Sequence, residues 1–279
     1  MFVSFYFELD QMAWPQARRR PKSFYLKNFS DVLHMIVSQG HSLLLFSNDT
    51  DMLQMCQGKA GVHAVKRELS SFWTWTQLDA IRNAMTPRWK RFSVPEFFSA
   101  EYVALQLCKF QALADASLLT MEPCIWIDSG LRLRHSVLQP PLLSQWTRGG
   151  IHVMQFAPVA PCESWVLEMP GAFLMGGCFG GFGPDVRRLD RVARSVLQDL
   201  WSRSVSANDQ QLLSVLFLRM PTMFHTQKAF TTWVPWIGSG RWDDVLLCTT
   251  SETEERFVDM RLCVVSVLVF LILLLHKKR

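Results

Sequence analysis

The stretch CIWIDSGLRLR (residues 124–134) runs three large apolar residues, Ile125, Trp126 and Ile127, into a single acid, Asp128, and then turns at Ser129-Gly130. A buried strand ending this way can set one carboxylate at the rim of a sheet. The same acid can instead close an Asx-turn by bonding backbone two residues further on. Arg18-Arg19-Arg20 has the guanidinium forks that pair with phosphate oxygens, or it is a solvated loop. GGCFGGFG (176–183) stands between a strand-like and a helix-like run, where a phosphate loop belongs, yet it has neither GxGxxG nor GxxxxGK spacing. Its adjacent glycines either let backbone approach a ligand or another segment closely, or form a tight turn. GSG (238–240) has Ile237 where a nucleophile elbow needs glycine. Seven histidines form no HExxH and seven cysteines no CxxC, which argues against structural zinc. The odd, scattered cysteines point to reduced thiols and a cytosol-facing body.

The elements that must position these residues alternate. Residues 2–7 read as a strand, and Tyr25, Leu26, Phe29, Val32, Leu33 and Ile36 mark one face of a helix over 22–38. Strands follow at 42–47 and 61–65, with a short helix between them capped by Asn48 or Asp49. Helices are expected near 76–86 and 99–119, ahead of the CIWID strand. Strands at 151–156 and 172–175 come next, then helices at 185–203 and 208–219. Continuous apolar strands alternating with amphipathic helices predict an α/β fold, a mostly parallel central sheet flanked by helices. Ligands of such sheets sit beyond the carboxyl ends of the strands. Residues 8–20, 47–49 and 128–130 should gather there, which places Asp128 where such a fold keeps its site.

The chain can bury a large core, being 49% hydrophobic over 279 residues. Its net charge of +5 invites a nucleic-acid reading, but Lys277, Lys278 and Arg279 supply three of those charges, leaving +2 elsewhere. A groove that neutralises many phosphates needs more cations on one face, so nucleic acid is excluded as a partner. The opening MFVSFYFELD has no basic region before its apolar run and is not a signal peptide. LCVVSVLVFLILLL (262–275) is apolar throughout except for Ser266, with Arg261 before it and HKKR after. Fourteen helical residues span about 21 Å against a hydrocarbon core of roughly 30 Å, and flanking cations can snorkel to extend the reach. Residues 261–276 are therefore expected to be a C-terminal hydrophobic helix anchoring a cytosolic body in a membrane; on length alone the alternative is a buried core helix or a docked terminal strand. A polar linker (250–260) precedes it and a basic tail (277–279) follows.

Seven segments, in order, resemble the HtrL/YibB family. They are FELDQMAW; Arg20 with Tyr25-Leu26 and Phe29; FFSAEYVALQLCK with Ser99, Glu101, Tyr102 and Lys109; WIDSG; GGCFGG; NDQQLLSVLFLRMPTMF with Asp209 and Gln210; and GSGRWDDVLLC. The resemblance covers roughly residues 1–249. It implies a glycosyltransferase-A-like domain that binds a nucleotide sugar and transfers the sugar to a hydroxyl acceptor.

Through the resemblance, Asp128 corresponds to the Asp-x-Asp carboxylate that meets the donor and a divalent metal (Mn or Mg). Trp126 and Gly130 stand where a second carboxylate would be, so Asp128 is the candidate metal ligand and makes a poor site unless Asp49 or another residue joins it. Arg20 and Lys109 would offset diphosphate charge, Gly176-Gly177 would admit the acceptor, and Gln210 would join the donor site. Asp209 would be the catalytic base or orient the sugar; its competing reading is the N-cap of helix 208–219. The alternative to a membrane-anchored transferase is a non-catalytic, membrane-tethered binding or scaffold protein of the same fold, favoured by the missing second carboxylate. A hydrolase of sugar nucleotides is a third class.

Overall fold

Alternation along β1 (Phe2–Tyr6) divides the molecule into two cores. Val3 and Phe5 face one side of the sheet with Leu44, Phe46, Trp126 and Phe179. Phe2 and Tyr6 face the other with Leu43, Leu45, Ile125 and Ile127. A sheet buried on both faces needs helices on both, and the chain provides them. The computed structural model describes residues 1–9, 21–85, 99–129, 149–155, 158–168, 173–228, 230–231 and 245–246. Arg20, Gly130 and the segment 250–279, with its expected linker, membrane helix and basic tail, lie outside the described residues.

After β1 come α1 (Lys22–Ser38), β2 (Leu43–Ser47), α2 (Thr50–Cys56) and β3 (Val62–Lys66). Next are α3 (Leu78–Ala84), α4 (Ala100–Ala116), β4 (Cys124–Ile127) and β5 (Ile151–Gln155). They are followed by α5 (Glu163–Glu168), β6 (Leu174–Gly181), α6 (Gly183–Ser202), α7 (Asp209–Arg219) and β7 (Phe224–Lys228). A separate antiparallel pair joins β8 (Phe230–Thr231) to β9 (Val245–Leu246).

The main sheet has the order β3-β2-β1-β4-β6-β5-β7. β1 pairs in parallel with β2 and β4, β2 with β3, and β5 with β7; β6 runs antiparallel to both β4 and β5. The sheet is thus mostly parallel, as expected, with one reversed strand, β6, between β4 and β5. α1 and α2 cover one face through Phe29, Val32, Leu33, Ile36 and Met52. α4, α6 and α7 cover the other through residues such as Val103, Leu107, Leu189, Leu197, Leu212 and Leu216.

Two expectations are corrected. The strand expected at 172–175 is β6, and it continues through the glycine run, so Gly176, Gly177, Gly180 and Gly181 are strand residues and not a turn. They are there for lack of a side chain: a Cβ at Gly180 would collide with the backbone of Cys124 and Ile125, and one at Gly181 with Gly150. The glycines let β6 lie tightly between β4 and β5. The helix at 208–219 is also capped differently. Asn208 is its N-cap, with Oδ1 accepting from the Gln211 N–H at 2.8 Å while Gln211 Oε1 accepts from the Asn208 N–H at 3.1 Å. This reciprocal capping box leaves Asp209 out of the N-cap role.

α5, α6 and α7 are tied by a network at the surface. Glu163 accepts from Arg219 Nε at 2.9 Å and from Arg203 at 2.8 Å, and Asp199 accepts from Arg219 at 2.7 Å. Arg219 holds the Glu163 carboxyl below its usual range, against the opposing effect of burial and with help from Arg203. A carboxyl whose pKa falls on folding stabilises the fold above its unfolded value and loses that contribution as pH drops through the folded one. Glu163→Gln should therefore cost about 0.5–1 kcal/mol near neutral pH and almost nothing well below the carboxylate range, compared by urea midpoints. An equal cost at both pH values would show that the network does not act through this charge.

Candidate functional site

Asp128 follows the last residue of β4, and its N–H donates to Gly177 O of β6 at 3.0 Å. Alternation puts it on the face of Trp126, and the indole Nε1–H donates to Asp128 Oδ1 at 2.7 Å. α4 crosses the same face and delivers Lys109, whose Nζ lies 2.9 Å from Asp128 Oδ1 and 3.3 Å from Oδ2. The same ammonium reaches Asp209 Oδ2 at 2.5 Å and Gly176 O at 3.2 Å. Asp209 is the first residue of α7, where an acid also suits the helix dipole, and its Oδ1 accepts from the Gln210 N–H at 2.9 Å. Four elements therefore converge on one nitrogen.

Burial grades this cluster. The Asp128 side chain is 37% exposed, Lys109 7% and Asp209 3%. Burial alone would lower the Lys109 pKa, but the two carboxylates outweigh it and hold the amine charged, above its ordinary value. For Asp209 burial dominates in the other direction: it raises the carboxyl pKa, opposed by Lys109 and reinforced by the Asp128 charge. The solvent-facing acid is Asp128, while Asp209 lies beneath it.

The two glycines of β6 make room for these acids. A Cβ at Gly176 would overlap the Asp209 carboxylate, and one at Gly177 would meet Asp128 Oδ2 at 3.2 Å. At Gly176, where the resemblance would admit an acceptor, the space of the missing Cβ is taken by Asp209. Gln210 adjoins the cluster, and its described hydrogen bonds are made by its backbone.

The neighbouring strand ends carry a second charged group. Ser47 Oγ donates to Tyr6 O at 2.6 Å and accepts from the Asp49 N–H at 3.0 Å, linking the ends of β1 and β2. Asp49 caps α2, accepting from the Met52 N–H at 3.0 Å. Lys22, at the start of α1, pairs with Asp49 at 2.5 Å and Asp51 at 2.7 Å. Burial, then the Glu8 and Asp49 charges, pushes the Tyr6 hydroxyl up to about 12. With Lys66 ending the neighbouring β3 and Arg67 following it, this rim carries Glu8, Asp49, Asp51 and Asp128 alongside Lys22, Lys66, Arg67 and Lys109.

The described residues do not fit a divalent metal. Asp128 Oδ1 is engaged by both Trp126 and Lys109, Asp209 is buried against Lys109 and the Gln210 N–H, and an ammonium already sits between the acids. A hard divalent cation wants about six oxygen ligands, and no third acid, His or Cys joins these two among the described residues.

Several of these residues carry weak signals in the sequence. The Asn208-x-x-Gln211 spacing is that of a capping box. Trp126 stands two residues before Asp128, so the same face was readable. Nothing local announces Lys22 as the partner of Asp49.

No family model matches the chain, and no curated protein matches it. Among solved structures, it is similar to mouse xyloside xylosyltransferase 1 in its apo form, at 10% identity and a TM-score of 0.46, over 81% of this chain and 84% of that one. At that level the likeness assigns no residue a role.

The charge balance makes a stability prediction. Lys109→Met strands two acids, one of them buried, and should cost about 3–5 kcal/mol at neutral pH. Without the ammonium the Asp209 pKa rises further above its unfolded value, so the folded variant gains stability as pH falls. Adding Asp209→Asn should recover most of the loss at neutral pH. A double variant as unstable as Lys109→Met alone would show that the ammonium does not act through these acids.

Proposed function

We propose that this chain is a glycosyltransferase-A-type enzyme that moves a sugar from a nucleotide-sugar donor to a hydroxyl acceptor. The observation that carries this reading is the position of the Asp128–Lys109–Asp209 cluster. It lies beyond the carboxyl ends of a mostly parallel sheet, with Asp128 still open to solvent. The ordered HtrL/YibB-like motifs support the same reading, since Lys109, Asp128, Gly176, Gly177 and Asp209 come from four separate motifs and meet at one point.

In this reading the acceptor oxygen attacks the anomeric carbon and the nucleoside diphosphate departs with the bonding electrons. The acceptor proton passes to a carboxylate. Lys109 offsets charge that builds on the leaving group, and Arg20 supplies further positive charge to the donor. Asp128 faces the donor, and Gln210 lines the same side. Asp209 keeps the two roles the resemblance implies, base or orienting group; its burial against Lys109 favours orientation.

A non-catalytic binding protein of the same fold is the second reading, favoured by the way Lys109 already satisfies both acids. A donor panel separates the two. UDP- or GDP-sugars should raise the melting temperature, by an amount that corresponds to about 2.7 kcal/mol at a hundredfold excess over Kd, and Asp128→Ala should abolish the shift. A panel that shifts nothing, with or without Mn2+, favours the binding protein.

The apolar segment 261–276 is proposed as a membrane anchor, on its composition and flanking cations. Among the described residues no helix is long and apolar enough to cross a membrane. Deleting residues 260–279 should move the protein from the membrane pellet to the soluble fraction, and continued pelleting would refute the anchor.

A further inference from the structure

Lys109 is surrounded as a cation-binding site surrounds its ion. Its Nζ has two oxygens of Asp128 at 2.9 and 3.3 Å, one of Asp209 at 2.5 Å and the carbonyl of Gly176 at 3.2 Å. These are the ligand types a hard divalent cation takes, two carboxylates and a main-chain carbonyl. Here they converge on an ammonium carried by the chain itself. We propose that the Lys109 ammonium takes the place of a divalent cation in this site, so that a nucleoside diphosphate binds without one. This deepens the transferase reading and rests on it for the identity of the ligand.

Three features support the inference. First, the shell is closed from behind, because Gly176 has no Cβ and the Asp209 carboxylate fills that position. Second, two of the carboxylate oxygens have further partners: Asp209 Oδ1, outside the shell, accepts from the Gln210 N–H, and Asp128 Oδ1 also accepts from the Trp126 indole. A metal at Asp128 Oδ2 would have one protein ligand and lie beside a buried ammonium, which repels it. Third, Lys109 is held from both sides and stays charged, so the positive charge is permanent where a metal's would depend on supply.

The test uses the full chain, with UDP and Mn2+ as probes. UDP binding is measured by calorimetry in EDTA and in Mn2+, and Mn2+ retention without nucleotide by the electron-spin signal of the free ion. Wild type should retain no Mn2+ and bind UDP with affinities agreeing within about threefold in the two buffers. Lys109→Met, which frees the oxygen shell, should retain Mn2+ and bind UDP at least about tenfold more tightly with it than without. A wild-type affinity that rises about tenfold or more with Mn2+, with the gain lost in Asp128→Asn, overturns the inference. That comparison needs no Lys109 variant, so it decides the matter even if Lys109→Met does not fold. If UDP binds in neither buffer, the donor reading fails separately. Mn2+ retention then decides the inference alone: wild-type retention lost in Asp128→Asn overturns it, and retention confined to Lys109→Met upholds it.

Discussion

An ammonium buried to 7% exposure is tolerable in a protein only if fixed oxygens replace the water it gives up. Around Lys109 those oxygens come from β4, β6 and α7, while the lysine belongs to α4. Desolvating each ion costs several kcal/mol, so leaving either the lysine or Asp209 here without the other is strongly destabilising. The positions of four elements are thereby coupled through one nitrogen. A shift of α4 relative to β4 that a purely apolar contact would absorb would here leave a buried charge without its partner.

The sheet topology makes this meeting possible. β6 runs antiparallel between β4 and β5, so the residue after β4 lies beside Gly177 near the start of β6. The Gly176 carbonyl is then available to Lys109, and the missing Cβ at Gly176 gives Asp209 its space. A bulkier residue at 176 would displace the acid that neutralises the lysine, so this glycine is required by electrostatics acting through sterics. Gly180 and Gly181, further along the strand, serve backbone approach to β4 and β5.

The sequence reveals the scaffold more readily than the contacts that complete the site. The helix expected over 22–38 is α1 with the same bounds, because apolar spacing is a local property. Asp128 was also legible, as a charge ending an apolar strand of a parallel sheet. Its pairing with Lys109 was not, and still less the bond from Lys109 to Asp209, a hundred residues further along the chain. Those residues stood out only through likeness to family motifs, since no local rule links a helix lysine to a distant helix start. Of the two readings of the glycine run, close backbone approach holds and the tight turn does not. Local rules credit glycine with unusual backbone angles, but none of Gly176, Gly177, Gly180 or Gly181 has a positive φ. Their reason for being glycine is what lies opposite them. β7 escaped notice because FHTQK lacks the apolar run that marked the other strands.

The gradient of burial across the cluster separates two duties that a single pair of exposed acids would share. Asp128, at 37% exposure, can exchange its contacts for those of a ligand, whereas Asp209, at 3%, cannot do so without opening the fold. The ammonium between them is therefore held mainly by Asp209 and shared with Asp128. A ligand that draws Asp128 away still leaves Lys109 held by Asp209 and the Gly176 carbonyl. Such a centre keeps its geometry while its outer acid changes partners.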